Sequence, residues 1–214
     1  MTENIDLKDL EKRAWRSTFQ DGLWDIYMGL LFMGLGIYTI RQDNIFIAMV
    51  ILILWVFGSF LVFYLGKRMI TIPRMGFVKF GETRKSKKIK LSIFLSIMVL
   101  INIIFLFLRL FGLNINLNSF ITMLSIGILF ITLPICIVAY FLEFERLYAI
   151  AIMGGLCFPI SELLRPIVGF PLNSILSFCI IGCVIVIWGF FYFIRFLKEY
   201  PLPKDDQKLE VTNV

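Results

Sequence analysis

Six apolar runs constrain the fold of this 214-residue chain more than any other feature. A run of about 18 apolar residues is long enough to cross the ~30 Å hydrocarbon core of a bilayer as a helix. Hydrophobic residues make up 59% of the chain and charged residues only 17%, which excludes an ordinary soluble domain. We therefore predict an all-α fold, a six-helix transmembrane bundle. Its predicted spans are residues 22–40, 45–66, 91–108, 119–142, 147–164 and 174–194.

The uneven distribution of Lys and Arg predicts how these spans are oriented. With six spans both termini lie on one side of the membrane, and that side receives eighteen of the 21 Lys and Arg residues. The opposite side holds only Arg41, Arg109 and Arg165. Because cytoplasmic segments carry the excess of positive charge, both termini are predicted to be cytoplasmic. The predicted location is a bacterial or archaeal plasma (inner) membrane, with the protein in multi-pass form.

Residues 1–21 and 195–214 flank the predicted bundle. On a helical wheel, Leu7, Leu10 and Ala14 fall on one side of the first segment, opposite most of its charges. This pattern predicts an amphipathic helix at the cytoplasmic interface of the membrane. A solvated helix without lipid contact is the alternative. Residues 195–214 are predicted to form a cytoplasmic tail.

The predicted loop 67–90 joins spans two and three. Its β-prone stretches 69–72 and 77–80 flank Pro73 and Gly76, which predicts a short basic hairpin. The loop then becomes strongly basic, and each cation beside an anionic leaflet contributes about 1 kcal/mol. We predict binding of anionic lipid headgroups or a partner; a topology determinant alone is the alternative, and nucleic acid is not expected beside a membrane. The predicted binding residues are Arg74, Lys79, Arg84, Lys85, Lys87, Lys88 and Lys90.

Two carboxylates stand at the start of the first span. Asp21 and Asp25 are four residues apart and share a helix face. Asp21 suits an N-cap, and Asp25 is favoured by the positive end of the helix dipole. Because a carboxylate in a membrane usually needs a partner, we predict an ion pair with Arg74. A proton or cation site is the alternative interpretation.

The first span also carries a stripe of glycines. Gly22, Gly29 and Gly36 are seven residues apart, so they lie on nearly the same side of the helix. Small residues let helix backbones approach closely in a membrane. The stripe predicts close packing within the chain, and a homodimer through the same face is the alternative.

Two short motifs carry a family resemblance. They are Asp21-Gly22 with Asp25 at the first span, and Pro73-Arg74-Met75-Gly76-Phe77-Val78 in the loop. In these motifs the chain resembles a family of uncharacterised prokaryotic polytopic membrane proteins with a Pro-Arg-x-Gly-Tyr/Phe-Val loop. The resemblance covers about the first 80 residues. It implies that the two motifs belong together, and it implies no activity or substrate.

Further polar residues lie deeper in the predicted bundle. Asn102 falls near the middle of span three, where a lone amide most often makes an interhelical hydrogen bond. Glu162 and Arg165, three residues apart near the outer end of span five, are expected to pair along the helix. An outward gate or an anion site is the alternative for this pair. With Asp21 and Asp25, these residues form the candidate intramembrane polar site.

Catalytic chemistry has little support in this sequence. The chain has no His, which removes the commonest general base and metal ligand, and no nucleophile or phosphate-binding motif is present. We expect no enzyme activity, no cofactor and no metal. The sequence favours a non-enzymatic scaffold or sensor that acts through the basic loop. The alternative is a small-solute or ion carrier, with Asp25, Asn102 and Glu162 along a polar path.

Overall fold

A computed structural model describes residues 19, 21–41, 44–75, 82–110 and 118–201, and within these ranges the chain is an all-α bundle, as predicted. The longer α-helices coincide with the six apolar runs. The α-helices are α1 (Leu23–Tyr38), α2 (Ile45–Gly66), α3 (Ile72–Met75), α4 (Glu82–Leu110), α5 (Ser119–Ile126), α6 (Leu133–Leu142), α7 (Arg146–Val168) and α8 (Leu172–Glu199).

The described helices identify a membrane protein. Four helical segments are long and apolar enough to cross a bilayer, and two shorter apolar segments accompany them. Two of the longer segments each consist of two α-helices joined by a π-helical turn. One turn connects α2 to α3 and the other connects α5 to α6, and the helical path continues through both. The four are Ile45–Arg74, Ser119–Leu142, Arg146–Val168 and Leu172–Glu199; the shorter two are Leu23–Tyr38 and Ile89–Ile104.

Helices α1 and α8 form the closest helix pair, and the glycine stripe lies between them. A Cβ atom at Gly29 would lie 2.7 Å from the carbonyl oxygen of Gly182, so only a glycine fits there. Gly22 has a φ of 72°, which favours glycine, and it lies against the backbone of Gly189. Gly36 faces α8 as well. The stripe therefore packs within the chain, as predicted, and a homodimer through this face would require α8 to move away.

A second close approach joins α7 to the π-helical turn Gly127–Thr132. A Cβ at Gly127 would collide with the carbonyl oxygen of Gly155, and one at Gly155 would collide with the hydroxyl of Thr132. The Thr132 hydroxyl donates to the carbonyl of Ala151 at 3.3 Å. The wider turn immediately precedes Leu133-Pro134, where the ring of Pro134 cannot donate a helical hydrogen bond.

An apolar cluster fills the bundle between its two ends. We call the end that holds Phe19, Arg146 and Glu199 the terminal end, and the opposite end, at Tyr38 and Arg165, the distal end. Side chains from α1, α6, α7 and α8 meet in this cluster, together with Phe19 before α1 and Phe144 before α7. Its buried members are Phe19, Phe32, Ala139, Phe144, Leu147, Ile150, Cys157, Phe178 and Ile185.

The structure corrects the predicted hairpin. Residues 69–72, expected to be a strand, are helical, because the chain continues from α2 through the π-helical turn Lys67–Thr71 into α3. A continuing helix satisfies its own backbone groups near a membrane, which outweighs the weak β-propensity of four apolar residues. The other half of the hairpin, the interfacial helix over residues 1–18 and the tail beyond residue 201 lie outside the described residues. Helix α4 begins at Glu82, so the basic run 84–90 is helical as well.

Candidate functional site

Asp21 is a buried carboxylate at the terminal end, and three neighbouring groups bond to it. Its side chain is fully buried, and the Nζ of Lys67 lies 2.6 Å from its Oδ2. The hydroxyl of Thr71 donates to the same oxygen at 2.7 Å, and the N–H of Leu23 donates to Oδ1 at 3.3 Å. Lys67 and Thr71 belong to the π-helical turn after α2. The carboxylate therefore fastens the start of α1 to that turn.

Asp25, one helical turn further on, pairs with a different cation. Its Oδ2 lies 2.8 Å from Nη1 of Arg146, the first residue of α7. Arg146 also donates through Nη2 to the carbonyl of Phe19 at 2.6 Å. Its guanidinium stands 3.9 Å from the ring centroid of Tyr192 on α8, a distance at which a cation is attracted to an aromatic face. One guanidinium thus joins α1, α7 and α8.

The prediction that Arg74 pairs with these carboxylates is wrong. Its Nη1 donates to the carbonyl oxygens of Leu197 at 3.3 Å and Tyr200 at 2.8 Å. These carbonyls close α8, where a cation is favoured by the negative end of the helix dipole. Lys67 precedes Arg74 by seven residues, about 10 Å along a helix, so Lys67 reaches the start of α1 first. Arg74 is thus hydrogen-bonded within the fold, and its part in lipid or partner binding stays a prediction.

The predicted basic cluster lies on one element. Arg84, Lys85, Lys87, Lys88 and Lys90 are all in α4, and Lys90 is exposed; Lys79 lies outside the described residues. At about 100° per residue, these five positions cover roughly 220° of the helix circumference. By this spacing the five sequence positions do not fall on a single helix face.

A cavity of about 250 Å³ opens at the terminal end between α7 and α8. Its charged wall residues are Arg146, Arg195 and Glu199, with Tyr192, Phe196 and Tyr200 completing the wall. Arg195 Nε donates to Glu199 Oε1 at 2.7 Å, and Arg146 is paired with Asp25. The cations that line this cavity are thus paired with carboxylates, Arg146 with Asp25 and Arg195 with Glu199.

Asn102 occupies a half-buried position on α4. Its Oδ1 is buried and accepts no hydrogen bond from any residue that the structure describes, so the predicted interhelical bond is not found for this oxygen. The walls of the terminal cavity and of the distal cavity described next do not include Asn102.

At the distal end Glu162 and Arg165 pair as predicted, with Oε2 and Nη1 3.6 Å apart. Asn173 near the start of α8 donates through Nδ2 to the carbonyl oxygen of Ser161 at 2.9 Å, and the hydroxyls of Ser161 and Ser174 are 2.9 Å apart. Sequence reasoning missed these three residues. Their only signal is an Asn-Ser pair at the boundary of span six, which is ordinary at a helix start.

A cavity of about 390 Å³ lies among these distal residues. Its wall is largely apolar, with the polar groups gathered in one region. The wall residues are Leu35, Tyr38, Thr39, Met123, Phe158, Ser161, Glu162, Arg165, Phe170, Asn173, Ser174 and Phe178.

The structure therefore divides the candidate intramembrane polar site into separate places. Asp21 and Asp25 lie together at the terminal end, Asn102 is on α4, and Glu162 with Arg165 is at the distal end. The apolar cluster lies between the two ends. Within the described ranges, no group of three His, Cys, Asp or Glu side chains is placed to hold a metal ion.

Comparisons of the chain with protein-family models, with curated proteins and with solved structures give no significant match. The family resemblance of the first 80 residues stays a prediction.

Proposed function

We propose that this protein is a non-enzymatic scaffold or sensor that engages anionic lipid headgroups through the basic first turns of α4. We further propose six spans in a bacterial or archaeal plasma membrane, with both termini cytoplasmic. The observation that carries the proposal is that the basic run 84–90 belongs to the same continuous helix as the third apolar run. A helix holds these cations at a fixed height above the membrane, which a loop would not do.

The length of α4 supports this placement. Its 29 residues extend about 43 Å, compared with ~30 Å of hydrocarbon. Its apolar segment is Ile89–Ile104. The residues before Ile89 then project beyond the hydrocarbon at the terminal end, into the layer of lipid phosphates.

The distribution of the cations around α4 fits a helix that stands upright among headgroups. A helix lying on the membrane keeps its cations on one face, whereas an upright helix meets headgroups on several sides. At about 1 kcal/mol for each cation near an anionic surface, five cations give a preference on the order of several kcal/mol. This attraction is screened by salt, so it is expected to weaken as ionic strength rises.

The arrangement of the buried acids also favours a scaffold. Asp21 and Asp25 are each held by a cation from another element and join the helices at the terminal end. Contacts of this kind favour a rigid terminal end over a moving gate. A small-solute or ion carrier is the second candidate, and the buried, unpartnered Oδ1 of Asn102 is the observation that favours it.

The test is the lipid selectivity of the purified protein in vesicles, measured by electron paramagnetic resonance of spin-labelled lipids. The test variant replaces Arg84, Lys85, Lys87, Lys88 and Lys90 by Gln. A charge-preserving variant replaces the four lysines by Arg, and a position control replaces Lys204 and Lys208 of the tail by Gln.

We expect the wild type to prefer phosphatidylglycerol over phosphatidylcholine several-fold at low salt. The charge-preserving and tail variants should retain this preference, and the Gln variant should lose most of it while eluting as a folded protein in size-exclusion chromatography. An unchanged preference in the folded Gln variant would contradict the proposal.

A further inference from the structure

The distal cavity carries an acceptor that the fold leaves unused. Asn173 is only 3% exposed, and both hydrogen bonds that it makes to Ser161 come from its Nδ2. Its Oδ1 is buried and has no hydrogen-bond partner among the described residues. An unpaired buried acceptor destabilises a fold, and Asn173 lines the cavity. A ligand that donates a hydrogen bond would remove that destabilisation.

The Glu162–Arg165 ion pair contributes both of its charges to the cavity wall. The side chain of Glu162 is 15% exposed, whereas that of Arg165 is 59% exposed, so the carboxylate is the inner partner of the pair. Their separation of 3.6 Å is longer than a charge-assisted hydrogen bond. The carboxylate therefore retains capacity to accept a hydrogen bond from a second cation.

The apolar wall suits a cation attached to a hydrophobic body. The rings of Phe158 and Phe178 meet edge to face with centroids 5.2 Å apart, and both rings line the cavity. Aromatic faces attract ammonium groups and also pack against apolar ligands. A volume of about 390 Å³ falls within the range of small-molecule sites.

We infer that this distal cavity binds a primary ammonium group carried on an apolar body, with Glu162 and the Oδ1 of Asn173 accepting hydrogen bonds from the ammonium. The occupant is a free hydrophobic amine or the ethanolamine headgroup of a lipid, which have in common a primary ammonium group. The inference goes beyond the proposed function, because the site lies at the opposite end of the bundle from the basic turns of α4. Its test is independent of lipid selectivity for anions.

The experiment is isothermal titration calorimetry of the full chain in phosphatidylcholine nanodiscs. The probe is 2-phenylethylamine, and 2-phenylethanol is the matched uncharged probe. Empty nanodiscs measure partition into lipid, which is subtracted. Glu162→Gln removes the carboxylate charge while keeping its shape, Arg165→Gln removes the competing cation, and Glu199→Gln is the control at the terminal end.

We expect saturable binding of the amine, at least tenfold weaker binding in the Glu162→Gln variant, and tighter binding in the Arg165→Gln variant. The Glu199→Gln control should bind as the wild type does, and the alcohol should bind weakly and without regard to residue 162. Opposite effects at residues 162 and 165 would not arise from a general loss of folding. Absence of saturable binding, or equal binding of the amine by wild type and the Glu162→Gln variant, would overturn the inference.

A second arm distinguishes the two sources of the ammonium group. The titration is repeated in nanodiscs that contain phosphatidylethanolamine. Weaker apparent binding of the probe there identifies the lipid headgroup as a competing occupant. Unchanged binding assigns the site to a soluble amine, and both results uphold an ammonium site.

Discussion

At the residue scale, the charged contacts of the terminal end have two distinct arrangements. Asp21 is bonded by Lys67 and Thr71, which both belong to the π-helical turn after α2, whereas Asp25 is paired with Arg146 at the start of α7. Among the described ion pairs, Arg146 pairs with no carboxylate other than that of Asp25. Among the described contacts, removing Asp25 therefore leaves a largely buried guanidinium with the carbonyl of Phe19 and the rings of Phe144 and Tyr192.

We predict that Asp25→Ala destabilises the protein by about 3–5 kcal/mol, because breaking a buried pair leaves an uncompensated charge. Arg146→Ala should cost a similar amount. The double variant should lose clearly less than the sum of both, because neither charge is then left alone. The measurement is unfolding by sodium dodecyl sulfate from mild-detergent micelles, followed by circular dichroism.

A matched control for this cycle is the exposed pair of Arg195 and Glu199. Ion pairs in water contribute little, so Glu199→Ala should leave the unfolding midpoint nearly unchanged. Strict additivity of Asp25→Ala and Arg146→Ala would contradict the assigned contact.

At the element scale, glycines determine how closely the helices approach. Gly127 in the π-helical turn has the backbone of Gly155 directly opposite, whereas Gly58 in α2 has nothing within 4 Å of an added Cβ. The same substitution in two membrane helices therefore has different expected results.

We predict that Gly127→Ala separates α7 from the π-helical turn and lowers the thermal midpoint of the detergent-solubilised protein by several degrees. Gly58→Ala should leave the midpoint unchanged or raise it slightly, because alanine reduces the freedom of the unfolded chain without a clash. The measurement is a fluorescence-detected thermal shift. Equal midpoints for the two variants would show that the close approach at Gly127 is not present in solution.

The sequence predicts the helical elements better than it predicts their partners. Hydrophobic length alone locates α2 at Ile45–Gly66 and the segment Ser119–Leu142, because the run of apolar residues and the helix share the same limits. The continuation of α2 into α3 is not predicted by the sequence, because the local β-propensity of residues 69–72 favours a strand there. Which cation pairs with Asp25 depends on how remote helices pack, and no spacing in a single sequence encodes that choice.

The candidate polar residues were recognised from their depth in apolar runs, so Glu162 was found while Asn173 was missed. Asn173 stands one residue outside the predicted span, where a polar residue is unremarkable. Only the packing of α7 against α8 shows that its side chain is buried. The pattern of hydrophobicity does not predict which residues at a helix boundary are buried.

At the scale of the whole molecule, the six proposed spans place alternate connections on opposite sides of the membrane. A reporter fused after residue 201 should face the cytoplasm, as should one fused after residue 144. A reporter after residue 43 or 114 should face outward. The measurement uses paired fusions to green fluorescent protein and alkaline phosphatase; cytoplasmic signals at both 43 and 201 would contradict the six-span arrangement.

The bundle has polar groups at both ends and an apolar cluster between them, and helices α7 and α8 run from one end to the other. We propose that this bundle is closed and acts at its terminal end, rather than conducting a solute past Asn102. Single cysteines at Asp25, Asn102 and Glu162 test it, in a background without Cys136, Cys157, Cys179 and Cys183. Each is labelled from either side with a membrane-impermeant thiol reagent.

We predict no labelling at position 102 from either side and labelling at position 162 from the outer side only. Because Asp25 is buried, position 25 should react slowly and only from the cytoplasmic side. Labelling at position 102, and protection of that position by a transported solute, would contradict the closed bundle and favour the carrier.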